Sequence, residues 1–130
     1  METNLNKKIE ILIVDDNEVN YELLQELINR NGIQLYWAKN GIEALELVSN
    51  HENLSLILMD INMPLMDGIT ATRKIRELNI KIPIIFQTAY TSAENLKECF
   101  NAGGNEFISK PLNLTVLNAL LKKYLKNDYN

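Results

Sequence analysis

The chain has 130 residues, 46% of them hydrophobic and 23% charged, a balance that suits one soluble domain with a real core and leaves no room for a second. The net charge is −4 and the lysines cluster only near the C-terminus, at Lys122, Lys123 and Lys126, so nucleic-acid binding by this domain is not expected. The single cysteine, Cys99, cannot form an internal disulfide and no apolar run reaches membrane-spanning length, so we expect a cytoplasmic domain without membrane contact.

Strand and helix patterns alternate along the chain. Short apolar runs rich in β-branched residues predict strands, and apolar residues at helical spacing predict helices. In chain order the predicted elements are strand 9–14, helix 19–28, strand 34–38, helix 42–48, strand 56–59, helix 69–75, strand 83–87, helix 91–102, strand 106–109 and helix 114–125. Polar flanks place 34–38 at a sheet edge, and Thr91 with Glu94 predicts a capping box. This alternation predicts a parallel sheet covered on both faces by helices.

Polar side chains follow four of the five predicted strands. Asp15 and Asp16 come directly after the first strand, Asp60 after the third, Thr88 after the fourth and Lys110 after the fifth. The carboxyl ends of parallel strands meet at one edge, where open α/β sheets place their ligands, so these side chains should converge. At ~5 Å and an effective dielectric of ~20, each pair of carboxylates would repel by roughly 3 kcal/mol, a repulsion that Mg²⁺ would relieve. A metal, a carboxylate nucleophile, a hydroxyl and a cation together suit phosphoryl transfer.

With these residues in place, the chain resembles the receiver domain of two-component response regulators. The matching motifs are Val14-Asp15-Asp16-Asn17, Met59-Asp60-Ile61-Asn62-Met63-Pro64 with Asp67-Gly68, Thr88-Ala89 and Phe107-Ile108-Ser109-Lys110-Pro111. The resemblance implies an α/β fold of the flavodoxin-like (βα)5 type, a three-layer sandwich around a five-stranded parallel sheet in the order 2-1-3-4-5. It implies a single receiver domain over residues 1–130, with an ordered core over about residues 8–126.

The resemblance also implies a role for each residue at the strand ends. Asp60 is the implied phosphoacceptor, a carboxylate nucleophile that forms an acyl phosphate. Asp16, Asp60 and the backbone carbonyl of Asn62 are implied ligands of Mg²⁺, and Asp15 is expected to act largely through a bound water. Lys110 is expected to pair with Asp60 before phosphorylation and with a phosphoryl oxygen afterwards.

A second set of residues is implied to control the switch and its lifetime. The Thr88 hydroxyl is expected to move to a phosphoryl oxygen while Phe107, which lacks the hydroxyl of the tyrosine in many members, swings inward. The Lys110–Pro111 bond resembles the cis peptide of the family. Asn62 and Tyr90 occupy positions expected to tune the rate, and the bulk of Tyr90 is expected to slow loss of the phosphoryl group by crowding the attacking water.

The resemblance implies a signalling phosphoprotein rather than an enzyme, which catalyses only its own phosphorylation and dephosphorylation. The phosphoryl group would come from a histidine kinase or a histidine phosphotransfer domain. It would switch the face built from the fourth helix, fifth strand and fifth helix, through which a homodimer could form, or pass onward in a phosphorelay. Asp15-Asp16-Asn17-x-x-Asn20 resembles receivers of hybrid histidine kinases. His51, in a polar loop, is interpreted as solvated, and Trp37 as packing at the edge strand.

Three rival functions fit these motifs less well than a receiver domain does. An aspartate-nucleophile phosphohydrolase of the dehalogenase type wants Asp-x-Asp, whereas Asp60-Ile61-Asn62 offers an amide, and the chain lacks the length for a cap domain. A flavodoxin-like nucleotide binder wants a glycine-rich loop after the first strand, where this chain carries acids. A degenerate receiver used only for docking would lack an essential residue, and none is missing from the motifs.

Overall fold

The computed structural model describes residues 9–28, 32–89 and 92–125. Within these ranges the strands are β1 (Ile9–Val14), β2 (Ile33–Ala38), β3 (Leu54–Asp60), β4 (Ile84–Thr88) and β5 (Glu106–Ser109). The helices are α1 (Glu18–Ile28), α2 (Gly41–Asn50), α3 (Gly68–Glu77), α4 (Ala93–Ala102) and α5 (Leu114–Leu125). All five strands are parallel, in the order β2-β1-β3-β4-β5, which confirms the predicted fold and the edge position of β2. None of these helices has the length and apolarity needed to cross a membrane.

The sheet separates two hydrophobic cores. On one face Leu12 and Val14 of β1 pack with side chains from α2, α3 and α4, and on the other face Ile11 and Ile13 pack with side chains from α1 and α5. Since β1 is covered on both sides, its sequence is apolar almost without interruption. The strand therefore ends where the apolar run ends, which places Asp15, the first residue after the strand, at the carboxyl edge of the sheet.

All five helices begin at side-chain caps on the carboxyl edge of the sheet. In each, the capping side chain accepts a hydrogen bond from the backbone N–H three residues later; the caps of α1 to α5 are Asn17, Asn40, Asp67, Ser92 and Asn113. The cap of α4 is thus Ser92 rather than Thr91, which lies outside the described residues. Capping satisfies the first N–H groups of each helix and fixes the point at which the chain leaves the edge that carries the acids.

Arg76 joins two connections at the opposite, amino edge of the sheet. Its Nε and Nη2 donate to the carbonyl oxygen of Gly103 at 3.0 and 2.8 Å. Its Nη1 donates to the carbonyl oxygens of Ile80 and Ile82, and Nη2 also donates to Asn105 Oδ1. These five hydrogen bonds tie the end of α3 and the α3–β4 connection to the turn between α4 and β5.

Candidate functional site

The carboxylates of Asp15, Asp16 and Asp60 converge at the carboxyl edge of the sheet. One oxygen from each lies within 4.8 Å of the others, so the three could hold a metal ion. Asp15 and Asp16 follow β1, and Asp60 ends the neighbouring strand β3. Asp15 and Asp60 are buried and Asp16 is exposed. Two carboxylates therefore form the floor of the cluster, and the third lies at its opening to solvent.

Lys110 reaches into this cluster from the end of β5. Its Nζ lies 3.3 Å from Asp60 Oδ1 and 3.9 Å from Asp15 Oδ2. The backbone N–H of Lys110 donates to the carbonyl oxygen of Thr88 at 2.8 Å, which fixes the lysine beside the end of β4. The Lys110–Pro111 peptide bond is cis. One ammonium group shared among three carboxylates leaves the cluster negatively charged when all four groups are ionised.

Burial makes the two floor carboxylates costly to ionise. Burial raises the pKa of Asp15, against the N–H of Asn17 and the charge of Lys110, and burial likewise raises the pKa of Asp60. Asp15 Oδ1 accepts the Asn17 N–H at 2.9 Å, whereas Asp15 Oδ2 has no hydrogen-bond partner among the described residues. A buried carboxylate oxygen without a hydrogen bond, close to a second carboxylate, is a donor arrangement that suits a hard divalent cation.

Trp37 supports the β1–α1 connection from the adjacent strand, a role that sequence reasoning missed. Its indole Nε1 donates to the backbone carbonyl of Asp15 at 2.8 Å, and its ring stacks on Tyr21 with the ring centroids 4.5 Å apart. Lys39 Nζ lies 5.0 Å from the centre of the Trp37 ring. The sequence does indicate that the indole N–H of a tryptophan in a strand needs a hydrogen-bond acceptor. Which atom accepts this hydrogen bond depends on the pairing of β2 with β1, which the sequence does not reveal.

A glycine is required at position 68 because α3 begins directly against the backbone of Asp60. A Cβ atom at this position would overlap the carbonyl oxygen of Asp60, and the Gly68 N–H donates to the Ile61 carbonyl at 2.8 Å. The start of α3 thus packs directly on the backbone of the β3 terminus. Asn62 lies in the same loop, two residues after Asp60, and is exposed. Its backbone therefore lies at the open edge of the sheet, on the loop that leaves the acidic cluster.

The remaining predicted site residues are Thr88, Phe107 and Tyr90. Thr88 is buried at the end of β4, in register with Ser109 of β5. Phe107 is half-buried and contacts Phe100 of α4 edge-on, with the ring centroids 6.4 Å apart. Tyr90 lies outside the described residues.

His51 does not belong to the site. It follows the C-terminus of α2, before β3 begins, and so lies at the amino edge of the sheet. The interpretation of this side chain as simply solvated was wrong. The imidazole is half-buried, 4.2 Å from the ring centroid of Tyr36, and its Nδ1 lies 2.9 Å from the Leu47 carbonyl oxygen.

The structure thus combines a parallel α/β sandwich with three clustered carboxylates and a lysine at the carboxyl edge of its sheet. Residues 11–122 match the family model of the response regulator receiver domain. The chain belongs to this family, and it is a receiver domain of two-component systems.

Curated relatives include free-standing regulators and large kinases. The chain is 40% identical over 116 residues to two-component response regulator 24 of Arabidopsis thaliana, covering 89% of this chain and 84% of that protein. It is 38% identical over 122 residues to the osmosensing histidine protein kinase SLN1 of Saccharomyces cerevisiae, covering 89% of this chain. The chain spans only 10% of the length of that kinase.

Solved structures with the same fold include two complexes. The CheX–CheY–BeF3–Mg complex of Borrelia burgdorferi contains a chain that matches with a TM-score of 0.85 at 30% identity, over 95% of this chain and 94% of that one. The complex of the Saccharomyces cerevisiae histidine phosphotransfer protein Ypd1 with the receiver domain of its downstream response regulator Ssk1 matches with a TM-score of 0.84 at 29% identity, over 91% of this chain and 89% of that one.

Proposed function

We propose that this receiver domain accepts a phosphoryl group on Asp60 from a histidine of a partner protein, with Mg²⁺ as cofactor. The observation that carries this proposal is the position of the Asp60 carboxylate, which lies 3.3 Å from the Lys110 ammonium and within 4.8 Å of the Asp15 and Asp16 carboxylates. A nucleophile next to both a cation and a candidate metal site meets the main requirement of phosphoryl transfer, in which positioning and charge neutralisation dominate.

The chemical step follows from the placement of Asp60. One carboxylate oxygen forms a bond to phosphorus while the P–N bond to the donor imidazole breaks and its electron pair returns to the nitrogen. Asp15, Asp16, Asp60 and the backbone carbonyl of Asn62 would hold Mg²⁺, which supplies positive charge for the phosphoryl oxygens when bound. The burial of Asp60 excludes most water from the attacking carboxylate.

The switch is proposed to involve three further residues. Lys110 already lies 3.3 Å from Asp60 and would transfer its ammonium contact to a phosphoryl oxygen. The Thr88 hydroxyl, at the end of β4, would bond a second phosphoryl oxygen. Phe107, half-buried against Phe100, would then move inward and repack the face formed by α4, β5 and α5. Such a switch shifts an existing equilibrium by the difference in binding energy between its two states.

Asn62 and Tyr90 are proposed, from the family resemblance, to set the lifetime of the phosphoryl group. Tyr90 would slow hydrolysis by crowding the attacking water. A Tyr90→Ala variant is then expected to lose the phosphoryl group several-fold faster than the wild-type protein, measured as the decay of the phosphorylated mass after removal of the donor. Decay at the wild-type rate would count against this role.

The proposed partner is a histidine kinase or a histidine phosphotransfer domain in the cytoplasm. Two exposed apolar side chains flank the acidic cluster, with Val19 of α1 71% exposed and Leu65 of the β3–α3 loop 81% exposed. Exposed apolar side chains at this edge of the domain could be buried against a partner protein, which supports a macromolecular phosphodonor. Homodimerisation through the α4, β5 and α5 face and onward phosphotransfer are both compatible with a domain that catalyses only its own modification.

The deciding experiment mixes the protein with Mg²⁺ and acetyl phosphate, quenches in acid and measures the intact mass. Asp60→Asn removes the nucleophile, and Asp67→Asn is the matched control, because Asp67 is exposed and asparagine can keep its capping hydrogen bond. We expect a single phosphoryl adduct on the wild type and on Asp67→Asn, and none on Asp60→Asn or without Mg²⁺.

Two results would contradict the proposal. If neither acetyl phosphate nor a phosphorylated histidine phosphotransfer protein gives an adduct, the domain serves docking alone. If the protein instead turns over a generic phosphoester such as p-nitrophenyl phosphate many times, the phosphohydrolase alternative is favoured.

A further inference from the structure

Gln87 is a buried polar residue in an otherwise apolar strand. The β4 residues before it, Ile84, Ile85 and Phe86, are fully buried, and Gln87 itself is 1% exposed. Neither Nε2 nor Oε1 of its side chain has a hydrogen-bond partner among the residues that the structure describes. A buried amide without partners opposes folding, so the surroundings of this side chain should supply polar partners.

The strand register places Gln87 in the same row as the phosphoacceptor. Gln87 pairs with Asp60 of β3 on one side and with Ile108 of β5 on the other. Ile85 and Ile108 belong to the core beneath α1 and α5. Because side chains alternate along a strand and in-register neighbours share a face, Gln87 projects toward α1 and α5, together with Asp60.

A small cavity lies beside Gln87 on that face. Its volume is about 120 Å³, and it is lined by Asn20, Leu23, Gln87, Lys110, Pro111 and Leu112. Apart from Gln87, the polar side chains in this lining are those of Asn20 and Lys110. The cavity is large enough for at least one water molecule, and its lining includes the polar residues Asn20, Gln87 and Lys110.

Lys110 connects the cavity with the proposed reaction site. Its ammonium pairs with Asp60 and Asp15, and the same residue forms part of the cavity wall. An ammonium group has three N–H donors. Two of them can point toward Asp60 and Asp15, and the third remains available for another acceptor. The amide oxygen of Gln87 has no direct partner among the described residues, so a bound water would be needed to join it to Lys110.

We propose that this cavity is a binding site for ordered water and that Gln87 acts through it as a positioning residue for Lys110. The inference rests on the proposed phosphoryl transfer to Asp60. Gln87 does not touch the reacting atoms. Its amide and the bound water hold the Lys110 ammonium beside Asp60. The ammonium is therefore already in position when the phosphoryl group arrives.

The test compares Gln87→Met with the wild type, since methionine keeps the length of the side chain and removes its hydrogen bonds. Ile85→Val is the matched control, because Ile85 lies two residues earlier on the same face of β4 and does not line the cavity. Phosphorylation rates are measured against acetyl phosphate concentration, thermal unfolding midpoints are recorded for all three proteins, and a high-resolution crystal structure of the wild type locates waters.

We expect the maximal phosphorylation rate of Gln87→Met to fall about fivefold, the effect of losing one hydrogen bond at the transition state. The donor concentration at half-maximal rate should not change, because Gln87 does not bind the donor. Ile85→Val should keep the wild-type rate. The crystal structure should show water within hydrogen-bonding distance of both Gln87 and Lys110.

Two outcomes would overturn the inference. One is a Gln87→Met protein with the wild-type maximal rate and a raised unfolding midpoint, which would identify the amide as an unpaired buried group without a role. The other is a dry cavity in the crystal structure. Absence of any adduct on the wild-type protein would instead contradict the proposed function, and the crystallographic water site would still be tested independently.

Discussion

The indole N–H of Trp37 donates a hydrogen bond to the backbone carbonyl of Asp15 over 2.8 Å. The single tryptophan of the chain is therefore bonded to the segment that carries two of the three clustered carboxylates. A cation bound by Asp15 and Asp16 should change the environment of this indole. The fluorescence of Trp37 is thus a direct probe of the candidate metal site.

We predict that Mg²⁺ changes the tryptophan fluorescence of the wild-type protein in a saturable titration. We also predict that Trp37→Phe weakens Mg²⁺ binding by about fivefold, the value of one hydrogen bond that holds the β1–α1 connection in place. Isothermal titration calorimetry measures the variant, which has no tryptophan. Tyr21→Phe retains the ring that stacks on Trp37 and should bind Mg²⁺ as the wild type does. Equal affinities for all three proteins would show that Trp37 has no part in the metal site.

The second prediction concerns the ammonium group of Lys110. Since Lys110 Nζ lies 3.3 Å from Asp60 Oδ1 and 3.9 Å from Asp15 Oδ2, it competes with a metal for the same carboxylates. Lys110→Met should tighten Mg²⁺ binding by about tenfold. This corresponds to about 1.4 kcal/mol, a modest fraction of the Coulomb energy between the ammonium and a carboxylate at this separation. The same variant should nearly abolish phosphorylation by acetyl phosphate.

The exposed Lys122 supplies the control for this change in net charge. Lys122→Met removes the same charge from α5 and should leave both measurements unchanged. If Lys110→Met bound Mg²⁺ more weakly than the wild type, the proposed competition would be wrong.

The sequence predicted the fold and the convergence of acids because both depend on local patterns. The apolar run Ile9–Val14 marks β1 without ambiguity, and parallel strands must deliver Asp15, Asp60 and Lys110 to one edge. The start of β3 was placed two residues late, because Ser55 interrupts the apolar pattern.

Contacts between elements far apart in the chain could not be predicted in the same way. The hydrogen bond of Trp37 depends on the register of β2 against β1, which sets the indole beside the Asp15 carbonyl. The close approach of Gly68 depends on where α3 enters. The sequence predicts Gln87 only as part of a strand, because the missing hydrogen bonds of its amide can be recognised only once the packing around it is known.

Gly68 gives a third prediction, on both stability and phosphorylation. A methyl group at this position would overlap the Asp60 carbonyl oxygen, which belongs to the backbone and cannot rotate away. Gly68→Ala should lower the free energy of unfolding by about 1–3 kcal/mol, the usual range for overpacking. It should also slow phosphorylation, because the relief of the overlap displaces Asp60. Urea unfolding and intact-mass kinetics measure the two effects.

Gly32→Ala separates this contact from the general cost of replacing a glycine. Gly32 has a φ of +88°, and a Cβ atom there would meet nothing within 4 Å. This variant should be destabilised by about 1 kcal/mol through its backbone conformation alone and should be phosphorylated at the wild-type rate. Slow phosphorylation of Gly32→Ala would remove the argument for a specific effect at Asp60.

The fourth prediction concerns pH and the pairing of β5 with α5. Glu106 Oε2 accepts hydrogen bonds from Lys123 Nζ at 2.6 Å and from Tyr124 Oη at 2.8 Å. The hydrogen bond from Lys123 is the main cause that holds the pKa of Glu106 below its ordinary value of 4.5. Because the folded state favours the ionised form, the pair contributes its full stability above 4.5, and the contribution is lost as the pH falls through the lower, folded-state pKa.

Glu106→Gln should therefore be slightly less stable than the wild type at neutral pH, and the difference should be small because water screens the exposed ammonium of Lys123. The difference should shrink as the pH falls from about 6 to about 3. Urea unfolding over this range measures it, with Glu46→Gln on α2 as the control for loss of one exposed negative charge. A difference that grew toward low pH would reverse the assigned sign.

The hydrogen bonds of Arg76 anchor the C-terminal end of α4. They hold Gly103, directly after the helix, to the α3–β4 connection, whereas the helix is capped by Ser92, close along the chain to Thr88. If phosphorylation displaces Thr88 as proposed, α4 would act as a lever with its pivot at Gly103, and its first turn would move furthest. A partner that docks near Ser92 would then distinguish the two states, while one that docks beside Ala102 would meet a nearly unchanged surface.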